Sequence, residues 1–278
     1  MRPTRTVAPS DPTRFDWRAW CHHQPIPSDE AQYLLLELLH RPTSALVEAI
    51  HLTPRQRHRL ALWVARRAAD APLQYITGRA HFYGEVLRVG PGVLIPRPET
   101  ELLVEAALRD LPRGARVLDL GTGSGCIALT VARQRPDVRV VAVDSSPAAL
   151  RWARLNDRDR VLDLRRGDLY QPVAGERFHC ICANPPYVAD GEILPSDVRG
   201  FEPAAALFAG HDGLAQIRRV IAGAPAHLMP AGRLVMEIGA GQAHQVLDLA
   251  GQVFQDADLI QDYAGHDRVL MGELGIRG

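Results

Sequence analysis

Lysine is missing altogether from this chain of 278 residues, so its 32 basic residues are all arginine. We read that usage as a genome-composition bias, not as a site. Acidic residues also number 32, and a formal net charge of zero argues against a protein whose main task is to hold a long nucleic-acid backbone. No run of 18 apolar residues occurs, and the first twenty residues carry no apolar signal core. The expectation is a cytoplasmic protein without a membrane partner. Cysteine is scarce: Cys21, Cys126, Cys180 and Cys182, with the last two forming a C-x-C inside an apolar run. Residues two apart in a strand share a face, so buried free thiols are expected there and no metal site. The remaining composition, 46% hydrophobic and 23% charged, is ordinary for a globular chain with one large domain and a smaller one.

The chain opens with a polar, proline-containing stretch, residues 1–16, read as a loose arm. Helical signals follow. Ser28 is placed to cap a helix with Asp29 and Glu30 in its first turn and Ala31, Leu34, Leu35, Leu38 and Leu39 on one face. Thr53-Pro54-Arg55-Gln56 fits a capping box with proline in the first helical position, opening a helix to about Arg67 with Leu60, Val64 and Ala68 on one stripe. Residues 1–72 therefore read as a small helical bundle. From Pro72 the pattern changes to short strand-like pieces, Pro72–Gly78, Phe82–Gly84, Val86–Val89 and Val93–Ile95, so 73–98 is expected to be a β-hairpin linker. Residues 99–278 then make the large domain.

Its first unit is the most strongly patterned. Arg116–Leu120 reads as a strand, Gly121-Thr122-Gly123-Ser124-Gly125 as a glycine-rich turn, and Cys126–Leu129 as the start of a helix. A second strand, Val138–Val143, ends at Asp144, which follows Gly121 by 144 − 121 = 23 residues. Glycines let a backbone approach a ligand, and a carboxylate at that strand tip can accept both hydroxyls of a ribose. The pattern is G-x-G-x-G and not the G-x-G-x-x-G of nicotinamide enzymes. Ser146-Pro147 caps the next helix, and a third strand, Val161–Arg165, leads to Gly167-Asp168-Leu169-Tyr170. Asp168 could accept from an adenine amino group, or be an ordinary loop aspartate.

A fourth strand, Phe178–Ala183, stops at Asn184-Pro185-Pro186-Tyr187. Prolines cannot donate to a sheet ladder and restrict the residue before them. The run therefore ends in a side-chain amide, a rigid turn with free carbonyls, and an aromatic ring. Such a group of atoms can hold a planar nitrogen by accepting its N–H bonds and covering its face, although Asn-Pro is also a common turn dipeptide. A fifth strand (233–238) and two more after Gly251 complete a doubly wound, seven-stranded, mostly parallel α/β sheet. Gly121–Gly125, Asp144, Asp168 and Asn184 all fall at carboxyl ends of successive strands, where ligands bind in such sheets.

At this point the residues resemble a family. Asp119–Gly125, Asp144 and Asn184–Tyr187 resemble the class I (Rossmann-like) S-adenosylmethionine-dependent methyltransferases that modify planar nitrogens. Pro72–Gly78, Phe82, Ile95-Pro96-Arg97-Pro98-Glu99-Thr100-Glu101, Glu202-Pro203 and Asp262–Arg268 narrow the resemblance to the release-factor glutamine methyltransferases, the PrmC/HemK family. The resemblance implies S-adenosylmethionine as cofactor, held by Gly121, Thr122, Gly123, Ser124, Gly125, Asp144, Asp168, Leu169 and Asn184. Where family members often place an aromatic residue against the adenine, this chain has Leu169 followed by Tyr170. It implies transfer to the N5 amide nitrogen of the glutamine in a Gly-Gly-Gln loop of a peptide-chain release factor. Asn184, Pro185 and Tyr187 are then catalytic, with Pro186 completing the substrate-binding set, and the helical bundle docks the substrate protein. A monomer with no direct nucleic-acid contact is expected.

Alternatives stay open on the motifs. A glutamine methyltransferase of a large-subunit ribosomal protein shares Asn-Pro-Pro-Tyr but usually departs from Arg-Pro-Glu-Thr-Glu. A nucleic-acid adenine N6-methyltransferase would want a basic cleft and a target-recognition insertion. A nicotinamide-dependent oxidoreductase and a non-catalytic nucleoside-binding module are the remaining readings.

Overall fold

A computed structural model describes residues 15–275, so the arm expected at 1–16 lies outside the described residues as far as residue 14. The chain divides into two units between Thr77 and Gly78. In the first, α1 (Trp17–His22), α2 (Ser28–Leu39), α3 (Pro54–Ala68) and α4 (Leu73–Thr77) enclose their own core, which includes Leu34, Leu35, Leu60 and Val64. The capping box at α3 is present: Thr53 Oγ1 accepts from Gln56 N at 3.2 Å and Gln56 Oε1 accepts from Thr53 N at 2.9 Å. Ser28 is not a cap. It is the first residue of α2, Pro27 takes the cap position, and the Ser28 hydroxyl turns to His22 Nδ1 instead.

The strand reading of Pro72–Gly78 is overturned. Pro72 offers its carbonyl to both Tyr75 N and Ile76 N, which starts α4, and Tyr75 and Ile76 are buried. Proline pre-sets the first turn of a helix, and burial of the aromatic and β-branched residues outweighs their strand preference. Nor is Val93–Ile95 a strand; it is an irregular segment with Val93 and Ile95 buried. The hairpin itself is β1 (Arg79–Phe82) paired antiparallel with β2 (Glu85–Arg88). The stretch 73–98 thus splits, α4 going with the bundle and the hairpin with the sheet unit, where Phe82 and Leu87 enter the core.

The second unit is built on one sheet. Its strands are β3 (Arg116–Leu120), β4 (Arg139–Asp144), β5 (Leu162–Arg166), β6 (Phe178–Ala183), β7 (Leu228–Glu237), β8 (Asp256–Gln261) and β9 (Asp267–Glu273), in the spatial order β5-β4-β3-β6-β7-β9-β8. All pairs are parallel except those made by β9, which is antiparallel to both neighbours. Interleaved are α5 (Thr100–Leu108), α6 (Cys126–Gln134), α7 (Pro147–Asn156), α8 (Ser196–Phe201), α9 (Ala215–His227) and α10 (Ala243–Gly251).

Because side chains alternate along a strand, the sheet divides its apolar residues between two layers. Leu118, Leu120, Ile181, Ala183, Leu234 and Met236 pack on one side with Ile217, Val220 and Ile221 of α9. Val117, Cys180, Cys182 and Val235 pack on the other with Leu103 and Val104 of α5 and Leu129 of α6. Cys180 and Cys182 are therefore buried free thiols on one face, their sulfurs 3.9 Å apart. Strand order reverses between β3 and β6, since the chain winds outward from β3 to β5 and then returns to the other side of β3. Gly121 and Asn184 follow those two strands, so both lie at the switch point where ligands of such sheets sit. No helix among the described residues is long and apolar enough to cross a membrane.

Candidate active site

Gly121, Gly123 and Gly125 have φ of 71°, 58° and 83°. Left-handed backbone suits glycine because it has no Cβ to clash. At Gly121, which lines the cleft, an added Cβ would meet nothing within 4 Å. The turn is held from both sides by acids. Asp119, fully buried at the end of β3, accepts from Thr122 Oγ1 at 2.6 Å through Oδ2, while its Oδ1 has no hydrogen-bond partner among the described residues. Burial pushes its carboxyl up to about 7. Asp144 is oriented by backbone alone: Oδ2 accepts from Gly123 N at 2.9 Å and Oδ1 from Ser146 N at 2.8 Å. Burial raises its pKa, and those two N–H groups oppose the rise.

Asn184 follows β6 and is held by side chains from far along the chain. Its Nδ2 donates to Thr100 Oγ1 at 3.1 Å. Thr100, buried in the first turn of α5, donates in turn to Oε2 of Glu237 at 2.6 Å. Glu237 is buried at the end of β7, and its Oε1 lies 3.4 Å from the hydroxyl of Tyr187. Burial raises the Glu237 carboxyl to about 7, with Glu99 adding to the rise and the Thr100 hydrogen bond and Arg268 opposing it. The Tyr187 backbone is pinned as well: Gln242 Nε2 donates to its carbonyl at 3.0 Å while Gln242 Oε1 accepts from Gly239 N. Two motif segments meet nearby, for buried Glu202 accepts from Ile95 N at 2.9 Å and pairs with Arg97.

One cleft gathers Gly121, Gly123, Asp144, Asp168, Leu169, Asn184, Pro185 and Pro186. It does not gather every expected residue. Thr122 is turned inward onto Asp119, Ser124 is buried with its carbonyl taken by Asn156 Nδ2, and Gly125 forms the amino-terminal cap of α6. Tyr187 stands behind Asn184, packed on the core and bonded to Glu237, and does not line the cleft. Asp168 reaches the cleft with Oδ2 engaged by Arg219 at 2.6 Å. At the two residues that follow, Leu169 lines the cleft, whereas Tyr170 is stacked on His227 and donates to the Val220 carbonyl. The walls also include Val93 and Leu94 before α5, Pro203 and Ala206 after α8, and Gln216 and Val220 of α9. Sequence reasoning missed these, and it missed Glu237, although a lone acid in the apolar run Leu234-Val235-Met236-Glu237-Ile238 is a usable signal.

The residues suit a nucleoside-bearing cationic ligand. A glycine turn gives close backbone approach, Asp144 offers a fixed carboxylate, and Leu169 and Val143 give apolar wall. Comparison with known proteins agrees. Residues 98–206 match the Methyltransferase small domain model, and residues 21–78 match the PrmC N-terminal domain model. The release factor glutamine methyltransferase of Geobacter sulfurreducens is 46% identical over 217 residues, 76% of each chain. That of Burkholderia pseudomallei is 43% identical over 270 residues, covering 90% of this chain and 93% of its own.

The chain belongs to the release factor glutamine methyltransferase family. Among solved structures, a methyltransferase from Pyrococcus furiosus superposes with a TM-score of 0.54 at 18% identity, over 81% of this chain and all of that one, which speaks for the fold. Both halves of the family's pattern are thus present, the amino-terminal domain and the methyltransferase sheet.

Proposed function

We infer that the protein transfers a methyl group from S-adenosylmethionine to the N5 amide nitrogen of the glutamine in the Gly-Gly-Gln loop of a peptide-chain release factor. The observation that carries this reading is the pairing, in one cleft, of a carboxylate held for a ribose with a carboxamide whose accepting edge is left free. The glycine turn Gly121–Gly123 and Asp144 would hold the nucleoside part of the cofactor, with Leu169 offering apolar wall and Asp168 an acceptor for its base. S-adenosylmethionine, when bound, supplies a methyl group already activated on a sulfonium, so no strong base is required of the protein.

The protein's task is placement. An amide nitrogen is a weak nucleophile because its lone pair is delocalised into the carbonyl. Asn184 Oδ1 and the Pro185 carbonyl accept the two N–H bonds of the glutamine amide, and Pro186 keeps that turn rigid. As the nitrogen becomes positive the same oxygens bind it more strongly, which is the condition for raising the rate. Orientation of this kind is worth roughly 7–11 kcal/mol of barrier. Tyr187 acts from behind the turn, bracing it against Glu237 and excluding water from that side.

The amino-terminal bundle, with a core of its own and a match to the PrmC N-terminal domain, docks the release factor. Release factors work in the cytoplasm, and the activity is placed there. Every group named comes from one chain, so a monomer suffices, and the zero net charge fits a protein substrate and no nucleic-acid backbone or membrane. The test is incubation with labelled methyl donor and purified release factor, wild type against a Gln→Ala loop variant. Label is expected only on the wild-type factor; transfer that survives loss of the glutamine would defeat the assignment.

A further inference from the structure

The hydroxyl of Thr100 has one proton. At 2.6 Å from Glu237 Oε2 that proton goes to the carboxylate when Glu237 is ionised, so towards Asn184 the Thr100 oxygen can then only accept. Only the NH₂ edge of Asn184 can satisfy it, and Nδ2 does so at 3.1 Å. Asn184 Oδ1 makes no hydrogen bond among the described residues. A carboxamide is nearly symmetric in shape, and a half-turn would present donors where the reaction needs an acceptor. Nothing in β6 prevents that half-turn, because the strand ends at Ala183 and the residue after Asn184 is proline.

Resting on the function inferred above, we propose that Thr100 and Glu237 are positioning residues that set the polarity of the Asn184 carboxamide, so that its oxygen and not its NH₂ group meets the substrate amide. Glu237 sets the direction of the Thr100 hydroxyl, and Thr100 passes that direction to Asn184. Glu237 also accepts from Tyr187, so one buried acid at the end of β7 braces both ends of the Asn184–Tyr187 turn. Neither residue lines the cleft, and both are buried behind Asn184. Their effect therefore appears in turnover and not in affinity.

The experiment compares wild type, Thr100→Val, Thr100→Ser, Asn184→Ala and the double variant Thr100→Val with Asn184→Ala, using labelled methyl donor and purified release factor. Valine keeps the volume of threonine and removes the hydroxyl. Thr100→Val should lower kcat roughly 30- to 100-fold, the scale of a misplaced reactive group. Cofactor Kd and the KM for release factor should stay within about twofold, and Thr100→Ser should restore most of the turnover. The double variant should be no worse than Asn184→Ala alone, because with no carboxamide there is no polarity to set. Cofactor Kd also reports folding; should Thr100→Val lose it, Glu237→Gln, which keeps the shape without the obligatory acceptor, should still lower kcat about tenfold with Kd intact. Unchanged kcat in Thr100→Val, or losses that multiply in the double variant, would overturn the proposal while wild type remains active. A wild type that leaves the release factor unlabelled would overturn the functional reading and this inference with it.

Discussion

The two halves of the cleft are held in opposite ways. On the glycine side the acid is held locally: Asp144 is fixed by the backbone N–H groups of Gly123 and Ser146, 21 and 2 residues away. On the Asn184 side everything is distant: Thr100 lies 84 residues from Asn184, and Glu237 lies 137 from Thr100. A βαβ unit can form its own binding turn as soon as it folds. The amide clamp exists only after β6 and β7 have paired and α5 has packed on them. The setting of the Asp144 carboxylate is therefore a property of one supersecondary unit, and substrate orientation is a property of the whole sheet.

That contrast can be broken most sharply at Asn184. Replacing it with alanine should reduce kcat by about 10²–10³, the usual effect of losing one transition-state hydrogen-bonding group, while cofactor Kd changes little. Equal losses in both, measured by steady-state kinetics and direct titration, would make Asn184 a cofactor contact instead. Asp144→Ala should do the reverse. Hydrogen bonds to a charged group contribute about 1.5–3 kcal/mol, so cofactor Kd should rise roughly 10- to 100-fold with a smaller change in kcat at saturation. Unchanged Kd would remove Asp144 from ribose binding.

A pH profile of kcat at saturating cofactor, compared with Glu237→Gln, probes the distant half; Asp119, also raised to about 7, lies on the glycine side and is common to both proteins. Glu237, raised to about 7, takes up a proton below that value. Protonated, it no longer obliges Thr100 to donate, so kcat should fall as pH drops through 7 and level off about tenfold lower, the loss expected of Glu237→Gln. The groups facing it are Thr100 and Glu99 of the α5 entry, Tyr187 after β6, Arg268 of β9 and the thiol of Cys126 in α6. Tyr187 and Cys126 are pushed up, the latter to about 12, so neither titrates on that limb. Glu237→Gln should flatten it, and an acid limb that persists would point to another group. The smallest effect is expected at Gly121, whose φ of 71° costs an alanine about 1–2 kcal/mol. Gly121→Ala should lower Tm by a few degrees and weaken the cofactor, and a methyl group tolerated in both respects would mean the ligand keeps clear of that turn.

What could be read from the residues follows the same division. The glycine turn, the tip of β4 and the proline stop after β6 are punctuation within a few dozen residues, and strand–helix alternation told the sheet type. The stretch 72–78 is not legible from sequence because a short run with β-branched and aromatic residues carries no usable period, and its helix, Leu73–Thr77, shows only in the fold. The choice between Leu169 and Tyr170 also needed the fold, because it depends on whether α9 offers the tyrosine a carbonyl and a stacking partner.

By itself, then, the sequence determined the order of the strands and helices, the ligand-facing turns at the strand tips and the class of chemistry they serve. Each of those is set by side-chain period, proline and glycine, which act over neighbouring residues. Which edge of Asn184 faces the cleft, and which buried acid sets it, was decided only in three dimensions. A hydrogen bond has a direction that depends on its partner, and here the partners come together only because the sheet closes β7 against β6 and α5 over both.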